Sequence, residues 1–153
     1  KFFPDANSTL RVTYGKVKGY KPRDAVYYGY QTHLAGVMEK YIPGDYEFDL
    51  PKKLINLYNT KDYGIYKDRT GDVPVNFTAT NHTTGGNSGS PALDAYGNLI
   101  GLNFDRQWEG TMSDINYDPK LCRNIMVDTK YILFVIDKFA DAKWLINEMK
   151  IVK

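Results

Sequence analysis

The chain of 153 residues has 42% hydrophobic residues, a net charge of +2 at pH 7 and a single cysteine. This length allows one domain with a sizeable core, and we expect residues 1–153 to form a single domain. The weak net charge, the lack of a long basic run and the lack of an apolar run of about 18 residues argue against nucleic-acid binding and against a membrane-spanning helix.

The first half of the chain is predicted to be mainly β-structure with one short helix. Apolar and polar residues alternate over residues 8–20, which predicts a strand, and the tyrosine-rich residues 26–41 continue the β-character with two glycine breaks. A proline followed by apolar residues on one side predicts a short helix near 51–59. Residues 61–74 are polar and contain two glycines, and we expect them to form a loop.

The second half begins with a predicted strand, "VPVNFTAT" at residues 73–80, which leads into the glycine-rich stretch "GGNSGSP" at residues 85–91. Two apolar segments around the turn "AYGN" then predict a β-hairpin over residues 90–105. A further strand is expected at residues 122–128, and residues 128–149 show the spacing of helices. The sequence therefore predicts a mainly β fold that ends in helices.

The serine of the glycine-rich stretch has the surroundings of an acyl-transfer nucleophile. Ser88 lies between Asn87 and Gly89, and Gly86 stands two residues before it. Glycines let the backbone turn sharply, so the amides of Gly86 and Ser88 can both face an oxyanion that forms on an attacked carbonyl. The alternative is a glycine-rich turn in which the serine bonds only its own backbone.

The hairpin brings two charged side chains close to this serine. A turn centred between Tyr96 and Gly97 places Ser88 opposite Asp105, give or take about two residues. Successive strand residues point to opposite faces, so Asp105 and Arg106 need separate partners. A peptide substrate supplies both, an α-amino group for Asp105 and an acidic side chain for Arg106. Otherwise they are solvated charges at a strand end.

The segment "GGNSGSPALDAYGNLIGLNFD" is similar to the nucleophile segment of chymotrypsin-clan serine peptidases. Together with "YIPGDYEFD", "LYNTKDYG" and "CRNIMVDTKYILFVIDKF", it resembles the bacterial dipeptidyl-peptidase 7 and 11 family over essentially the whole chain. The resemblance implies a double β-barrel peptidase with a large helical insertion. This chain would be the second, C-terminal barrel of a longer protein.

The resemblance also implies a role for each residue of the motif. Ser88 is the nucleophile, the amides of Gly86 and Ser88 form the oxyanion hole, and Asp105 holds the terminal amine of the substrate. In this family a glycine after that aspartate goes with hydrophobic specificity and an arginine goes with Asp or Glu at the penultimate position. Arg106 therefore indicates the acid-specific branch, dipeptidyl-peptidase 11, which removes dipeptides from free N-termini.

Location and assembly follow from the same resemblance. It implies a bacterial periplasmic or cell-surface enzyme whose parent protein is a homodimer. The single cysteine, Cys122, allows no internal disulfide, which argues against a disulfide-stapled eukaryotic secreted protease domain and leaves the bacterial periplasm open. The partners expected for the chain are peptide substrates and the remainder of its own polypeptide, which comprises the first barrel and a helical domain.

The general base and the acid of a catalytic triad are not expected within the chain. In this fold both come from the first barrel, far upstream, and His33 is too close to Ser88 in sequence to belong there. His82 lies in the loop before the serine, where it is expected to form a wall of the specificity pocket. The isolated chain is therefore expected to lack peptidase activity.

Two other functions stay open. The first is a Glu-specific endopeptidase of the same clan, in which His82 and Arg106 recognise the acid and no residue holds an amine. The second is a binding module that keeps the barrel without the chemistry. We expect no metal and no other cofactor, because two separate histidines and one cysteine offer no ligand spacing and no phosphate-binding motif occurs.

Overall fold

The computed structural model describes residues 8–152 of the chain. These residues form two compact units. The first comprises the described part of Lys1–Gln31 together with Asn76–Asp128, and the second comprises Thr32–Val75 together with the described part of Thr129–Lys153. The expectation of one domain for residues 1–153 stays a prediction, since two compact units can belong to one domain.

Seven strands make up the β-structure of the described residues. They are β1 (Tyr20–Arg23), β2 (Val26–Tyr28), β3 (Gln31–His33), β4 (Pro74–Ala79), β5 (Pro91–Leu93), β6 (Leu99–Arg106) and β7 (Asn124–Asp128). Strands β1 and β2 form a two-stranded sheet, and the other five form a sheet in the order β3-β4-β7-β6-β5. The pairs β4–β7, β7–β6 and β6–β5 are antiparallel. The mainly β prediction is confirmed, including the strand at 73–80, the hairpin and the strand at 122–128.

Short helices complete the fold. They are α1 (Leu34–Glu39), α2 (Lys52–Thr60), α3 (Thr129–Phe134), which continues as a π-helical turn (Val135–Phe139), and α4 (Lys143–Asn147). Two 3-10 turns occupy Gly64–Tyr66 and Trp108–Asp114. The helix predicted near 51–59 and the helices predicted near 128–149 are confirmed. No helix among residues 8–152 has both the length and the apolarity that a bilayer crossing demands.

The strand predicted for residues 8–20 is wrong over most of its length. Leu10, Val12 and Tyr14, which supplied the alternation, are 92%, 81% and 93% exposed. An alternating pattern fixes a strand only where one face is buried, and here the apolar face is open to solvent. The segment nevertheless follows strand β4, through an isolated bridge between Val17 and Ala79.

The β-character predicted for residues 26–41 is wrong from Leu34 onward, where α1 begins. Leu34 is fully buried, and Val37 and Met38 pack against the same core cluster, a spacing that suits one face of a helix. The polar loop predicted for residues 61–74 also contributes to this core, because Tyr63 and Tyr66 are buried. Tertiary packing therefore overrides the local pattern in both segments.

The second unit has the larger core, centred on the fully buried Phe134. The rings of Tyr63 and Tyr66 meet Phe134 edge-on, with centroids 6.2 and 6.5 Å away. Burial raises the pKa of Tyr66 to about 12, and its hydrogen bond to Asp137 adds to the effect. The sequence predicts this core only in part, because Tyr63 and Tyr66, two of its largest side chains, lie in a segment with the composition of a polar loop.

The first unit has a smaller core, made by Phe77, Ala79 and Met126 on strands β4 and β7. Gly101 on strand β6 lies directly beneath the ring of Phe77. A Cβ atom at position 101 would lie 2.8 Å from the Phe77 ring and 2.6 Å from the carbonyl oxygen of Val127. The sheet can therefore pack in this way only because residue 101 has no side chain.

We expect the substitution Gly101→Ala to lower the free energy of unfolding by about 1–3 kcal/mol, because the methyl group meets fixed backbone of strand β7. Gly29→Ala is the matched control, since a Cβ atom there has no neighbour within 4 Å. Its effect is expected to stay within about 0.5 kcal/mol. Urea unfolding of the chain and its two variants measures both values, and equal effects would contradict the packing described for Gly101.

Candidate active site

The glycine-rich stretch folds into two successive turns. The amide of Asn87 donates to the carbonyl of Thr84 at 3.2 Å, and the amide of Ser90 donates to the carbonyl of Asn87 at 3.0 Å. Gly86 and Gly89 have φ angles of 89° and 80°, a region that strongly favours glycine. The glycines on both sides of the serine are thus required by the backbone of the loop.

Ser88 lies at the exposed tip between these turns. Within the described part of the chain its hydroxyl has one hydrogen bond, a long one of 3.5 Å to the carbonyl of Phe104. Among residues 8–152 the amides of Gly86 and Ser88 have no hydrogen-bond acceptor, whereas the amides of Asn87 and Gly89 are both bonded. The loop therefore leaves free the same two amides that the sequence predicts for an oxyanion hole.

The predicted hairpin register is confirmed. Pro91 lies opposite Leu102, and the ladder continues into the serine loop through two backbone hydrogen bonds. Gly89 donates to the carbonyl of Asn103 at 2.7 Å, and Asn103 donates to the carbonyl of Ser90 at 2.9 Å. The serine loop is consequently attached to strand β6 as a direct extension of the hairpin.

A β-bulge interrupts strand β6 next to the serine. Asn103 pairs with Met126 and Asp105 pairs with Ile125, so Phe104 is the additional residue. Bulges re-aim the side chains that follow them and are frequent beside active sites. The exposed carboxylate of Asp105 accepts a hydrogen bond of 2.8 Å from the amide of Arg106.

A row of hydrogen bonds through three asparagines, Asn87, Asn103 and Asn124, connects the serine loop to strands β6 and β7. The Nδ2 of Asn103 donates to the carbonyl of Asn87 at 3.2 Å, and the Nδ2 of Asn124 donates to the Oδ1 of Asn103 at 2.8 Å. Each bond fixes which way the next side-chain amide faces. Among residues 8–152, the buried Oδ1 of Asn124 is consequently left without a hydrogen-bond partner. The sequence predictions did not include these hydrogen bonds. The signal for them is an asparagine within each of two largely apolar strands, Asn103 in β6 and Asn124 in β7.

Arg106 forms a two-bond ion pair with a residue that the sequence predictions also missed. Its Nη1 and Nη2 donate to the two carboxylate oxygens of Asp114 at 2.9 and 2.8 Å, and Nη1 also donates to the Oγ of Ser113 at 2.6 Å. These bonds hold the pKa of the Asp114 carboxyl below its ordinary value and raise the pKa of Arg106. The ion pair therefore persists even somewhat below the ordinary pKa of an aspartate, and it is lost as the pH falls through the lowered pKa of Asp114.

Arg106 also lines a small cavity of about 10 Å³, which has room for about one water molecule. Its lining includes His82, Arg106, Ser113, Tyr117, Arg123 and Asn124.

His82 forms one wall of this cavity. Its Nε2 lies 3.0 Å from the carbonyl oxygen of Ser113, so Nε2 carries a hydrogen. Its ring packs against Tyr117, with centroids 4.9 Å apart. The sequence predicts His82 in a pocket wall, and in the structure His82 and Arg106 line the same cavity.

Arg123 adds a second positive charge to the lining. It is 3% exposed and forms no ion pair within the described part of the chain. Its guanidinium donates instead to the backbone carbonyls of Lys18, Gly19, Pro119, Lys120 and Cys122. Arg106 and Arg123 bring two positive charges to the lining, and the carboxylate of Asp114, paired with Arg106, offsets one of them. The positive charge that remains favours an anion.

The other histidine belongs to the second unit. The Nε2 of His33 lies 2.9 Å from the Oδ2 of Asp68, whose other oxygen accepts from the hydroxyl of Thr70 at 2.6 Å. His33 and His82 are thus both engaged in contacts other than with Ser88, whose hydroxyl bonds the carbonyl of Phe104. Among residues 8–152 no three His, Cys, Asp or Glu side chains come together in a way that could hold a metal ion.

Comparison with known proteins gives consistent results. The model of the family described as Peptidase S46 matches residues 1–151. The Asp/Glu-specific dipeptidyl-peptidase of Flavobacterium psychrophilum is 74% identical over 152 residues, which is 99% of this chain and 21% of that protein. Dipeptidyl-peptidase 7 of Phocaeicola vulgatus is 53% identical over 150 residues, 98% of this chain and 21% of that protein. The chain thus spans about a fifth of the length of these curated relatives.

A solved structure is similar along most of the chain. The crystal structure of Porphyromonas endodontalis DPP11 in complex with substrate superposes with a TM-score of 0.91 at 56% identity. The match covers 94% of this chain and 21% of that one. The resemblance to the dipeptidyl-peptidase 7 and 11 family is confirmed, and the fold is that of a β-rich part of a larger peptidase.

We expect Asn103→Ala to lower the free energy of unfolding by about 1–3 kcal/mol, because it leaves the carbonyl of Asn87 and the amide of Asn124 without their partner in the interior. The control is Asn116→Ala, whose side chain is exposed, with an expected change within about 0.5 kcal/mol. Urea unfolding measures both. A neutral Asn103→Ala would show that this row of hydrogen bonds does not support the loop.

Proposed function

The chain belongs to the peptidase S46 family, and we propose that it is the C-terminal part of a serine dipeptidyl-peptidase that releases N-terminal dipeptides with Asp or Glu at the penultimate position. One observation carries this proposal. The exposed Ser88 lies in a loop in which its own amide and that of Gly86 have no acceptor among residues 8–152, and this loop is attached to the strand that bears Asp105 and Arg106. The Asp/Glu specificity for which the Flavobacterium psychrophilum relative is named supports the same substrate class.

In the proposed reaction the hydroxyl oxygen of Ser88 attacks the carbonyl carbon of the second residue of the substrate. The hydroxyl proton passes to a histidine outside this chain, and the negative charge that forms on the carbonyl oxygen is held by the amides of Gly86 and Ser88. One such donor contributes about 3 kcal/mol to the transition state. The amide bond then breaks, the shortened peptide leaves as an amine with the proton from the histidine, and water hydrolyses the dipeptidyl ester on Ser88.

Two charges select the substrate in this proposal. The exposed carboxylate of Asp105 holds the α-ammonium group, which limits cleavage to dipeptides at free N-termini. Arg106 receives the acidic side chain through the edge of its guanidinium that Asp114 leaves free. The second guanidinium near the cavity, that of Arg123, adds to the attraction for an anion.

The remaining expectations belong to the same proposal. The partners are the first barrel and the helical domain of the same polypeptide, and the complete enzyme is a homodimer in the bacterial periplasm or at the cell surface. The family resemblance supports these statements, and the lone Cys122 is compatible with that location. The structural match to about a fifth of the Porphyromonas endodontalis enzyme supports the division of the site between parts of one polypeptide.

The isolated chain is expected to show no turnover of a dipeptidyl substrate that ends in Asp or Glu, because a serine without its histidine loses on the order of a millionfold in rate. The longer protein that contains the chain is expected to cleave the substrate, and Ser88→Ala is expected to abolish this activity. A fluorogenic dipeptidyl amide measures all three. Turnover by the isolated chain that disappears with Ser88→Ala would contradict the proposed division of the site.

In the longer protein, Arg106→Gly is expected to lower kcat/KM for penultimate Asp or Glu about ten- to a hundredfold, because a charge-assisted hydrogen-bond pair worth about 1.5–3 kcal/mol is lost. The ratio of rates should shift toward apolar residues. Arg69→Gly, which removes an exposed arginine of the second unit, is the control. Unchanged acid preference in Arg106→Gly would refute Arg106 as the selector, and cleavage within N-terminally blocked peptides would favour a Glu-specific endopeptidase.

A further inference from the structure

The five N–H donors of Arg106 divide into two sets. Three of them are used by the protein itself, two on Nη1 and one on Nη2, and they point to Ser113 and Asp114. Within the described residues the Nε–H and the second hydrogen of Nη2 have no acceptor. These two hydrogens lie side by side along one edge of the planar guanidinium, and together they match the two oxygens of a carboxylate.

Of the two acceptors that hold the guanidinium, Ser113 is buried, whereas the side chain of Asp114 is 49% exposed and is placed by the backbone turn that it ends. Ser113 is 3% exposed, and its carbonyl accepts the hydrogen bond from His82. Asp114 ends the 3-10 turn Trp108–Asp114, which begins two residues after Arg106 on the same stretch of chain. The hydroxyl of Ser113 and the carboxylate of Asp114 therefore define the plane and the rotation of the guanidinium before any substrate arrives.

An arginine side chain that is not held in this way populates many rotamers, and ligand binding then costs conformational entropy because the side chain has to be ordered. The bonds from Asp114 and Ser113 remove most of that freedom in the free enzyme. They also leave the fork of Nε and Nη2 in one orientation. A carboxylate that reaches this fork gains both hydrogen bonds with little further ordering of the protein.

We propose that Asp114, together with Ser113, positions Arg106 for the acidic side chain of the substrate and so determines specificity without touching the substrate. This inference rests on the proposed function, because it assigns the orientation of the residue that selects the acid. Asp114 and Ser113 are positioning residues, and Arg106 alone contacts the acidic side chain. Loss of either one should weaken binding of acidic substrates and leave the chemistry at Ser88 intact.

The opposite reading of the same contact is that Asp114 competes with the substrate for Arg106. The two interpretations predict opposite changes in KM for acidic substrates when Asp114 is removed. A competing carboxylate raises KM for acidic substrates, so its removal improves their binding. A positioning carboxylate lowers KM, so its removal weakens their binding. The geometry favours positioning, because the bonds of Asp114 use the end of the guanidinium and leave the other edge open.

The test compares Asp114→Ala, Ser113→Ala and Asp114→Glu in the longer protein that contains the chain, with Asp24→Ala as a control that removes an exposed carboxylate of the same unit. The substrates are two dipeptidyl amides that differ only in a penultimate Glu or Leu. For the Glu substrate, Asp114→Ala is expected to raise KM tenfold or more while kcat stays within about twofold. Ser113→Ala should show a smaller rise, and Asp114→Glu should recover part of the loss. For the Leu substrate, KM should not change.

A second measurement separates positioning from a general structural role. In an Arg106→Gly background, Asp114→Ala should have no further effect on the ratio of Glu to Leu cleavage, because the residue it positions is absent. A lower or unchanged KM for the Glu substrate in Asp114→Ala would overturn the inference, as would an equal loss in both backgrounds. If Asp114→Ala does not fold, the same two measurements on Ser113→Ala test the inference, and an unchanged or lower KM for the Glu substrate again overturns it.

The failure of this inference differs from the failure of the proposed function. If Arg106→Gly keeps the acid preference, the proposed selector is wrong. If Arg106→Gly loses the preference while Asp114→Ala and Ser113→Ala keep it, Arg106 selects the acid without their help.

Discussion

The geometry of the candidate site depends on the hydrogen bonds of Asn103. Its backbone bonds both Gly89 and Ser90, so it extends the hairpin ladder into the serine loop. Its side chain bonds the carbonyl of Asn87 and receives the amide of Asn124, which joins the loop to strand β7. One residue thus anchors the loop on both sides of Ser88, and it is 6% exposed, where competing water is scarce. Loop conformations that require positive φ at Gly86 and Gly89 are retained because the surrounding bonds over-determine them.

The same strand carries the charged residues, and the bulge at Phe104 decides how they are presented. Without the additional residue, Asp105 and Arg106 would continue the regular pleat of strand β6. With it, the strand changes its register against β7 immediately after the residue that anchors the loop. The position of Ser88 therefore depends on Asn103, and the direction of the two charged side chains depends on the next residue of the same strand, Phe104. A change at one of these residues is therefore expected to alter the surroundings of the other.

The sequence predicts those parts of the molecule that depend on neighbours in sequence. The hairpin, its register and the proximity of Ser88 to strand β6 follow from turn chemistry and alternation. Helices α2, α3 and α4 follow from the helical spacing of apolar residues and, for α2, from the proline at its start. Residues 8–20 and 26–41 show the limit, because a pattern of apolar residues does not say which of them a distant segment will cover. Asp114 and Asn124 were missed for the same reason. Their roles arise from contacts with Arg106 and Asn103, which no local pattern encodes.

The guanidinium of Arg106 pairs with Asp114 and not with the carboxylate of its sequence neighbour Asp105. Asp105 and Arg106 are neighbours in the chain, and a direct ion pair between their side chains would engage both of the groups that the proposed function assigns to the amine and the acidic side chain of a peptide. The carboxylate of Asp105 instead accepts from the amide of Arg106, and the guanidinium turns to Ser113 and Asp114. A second carboxylate thus satisfies the arginine at one end, while Asp105 stays exposed for a cation. Since the bonds of Asp114 occupy only one side of a planar group with donors on two, the guanidinium is held in place and can still bind an anion.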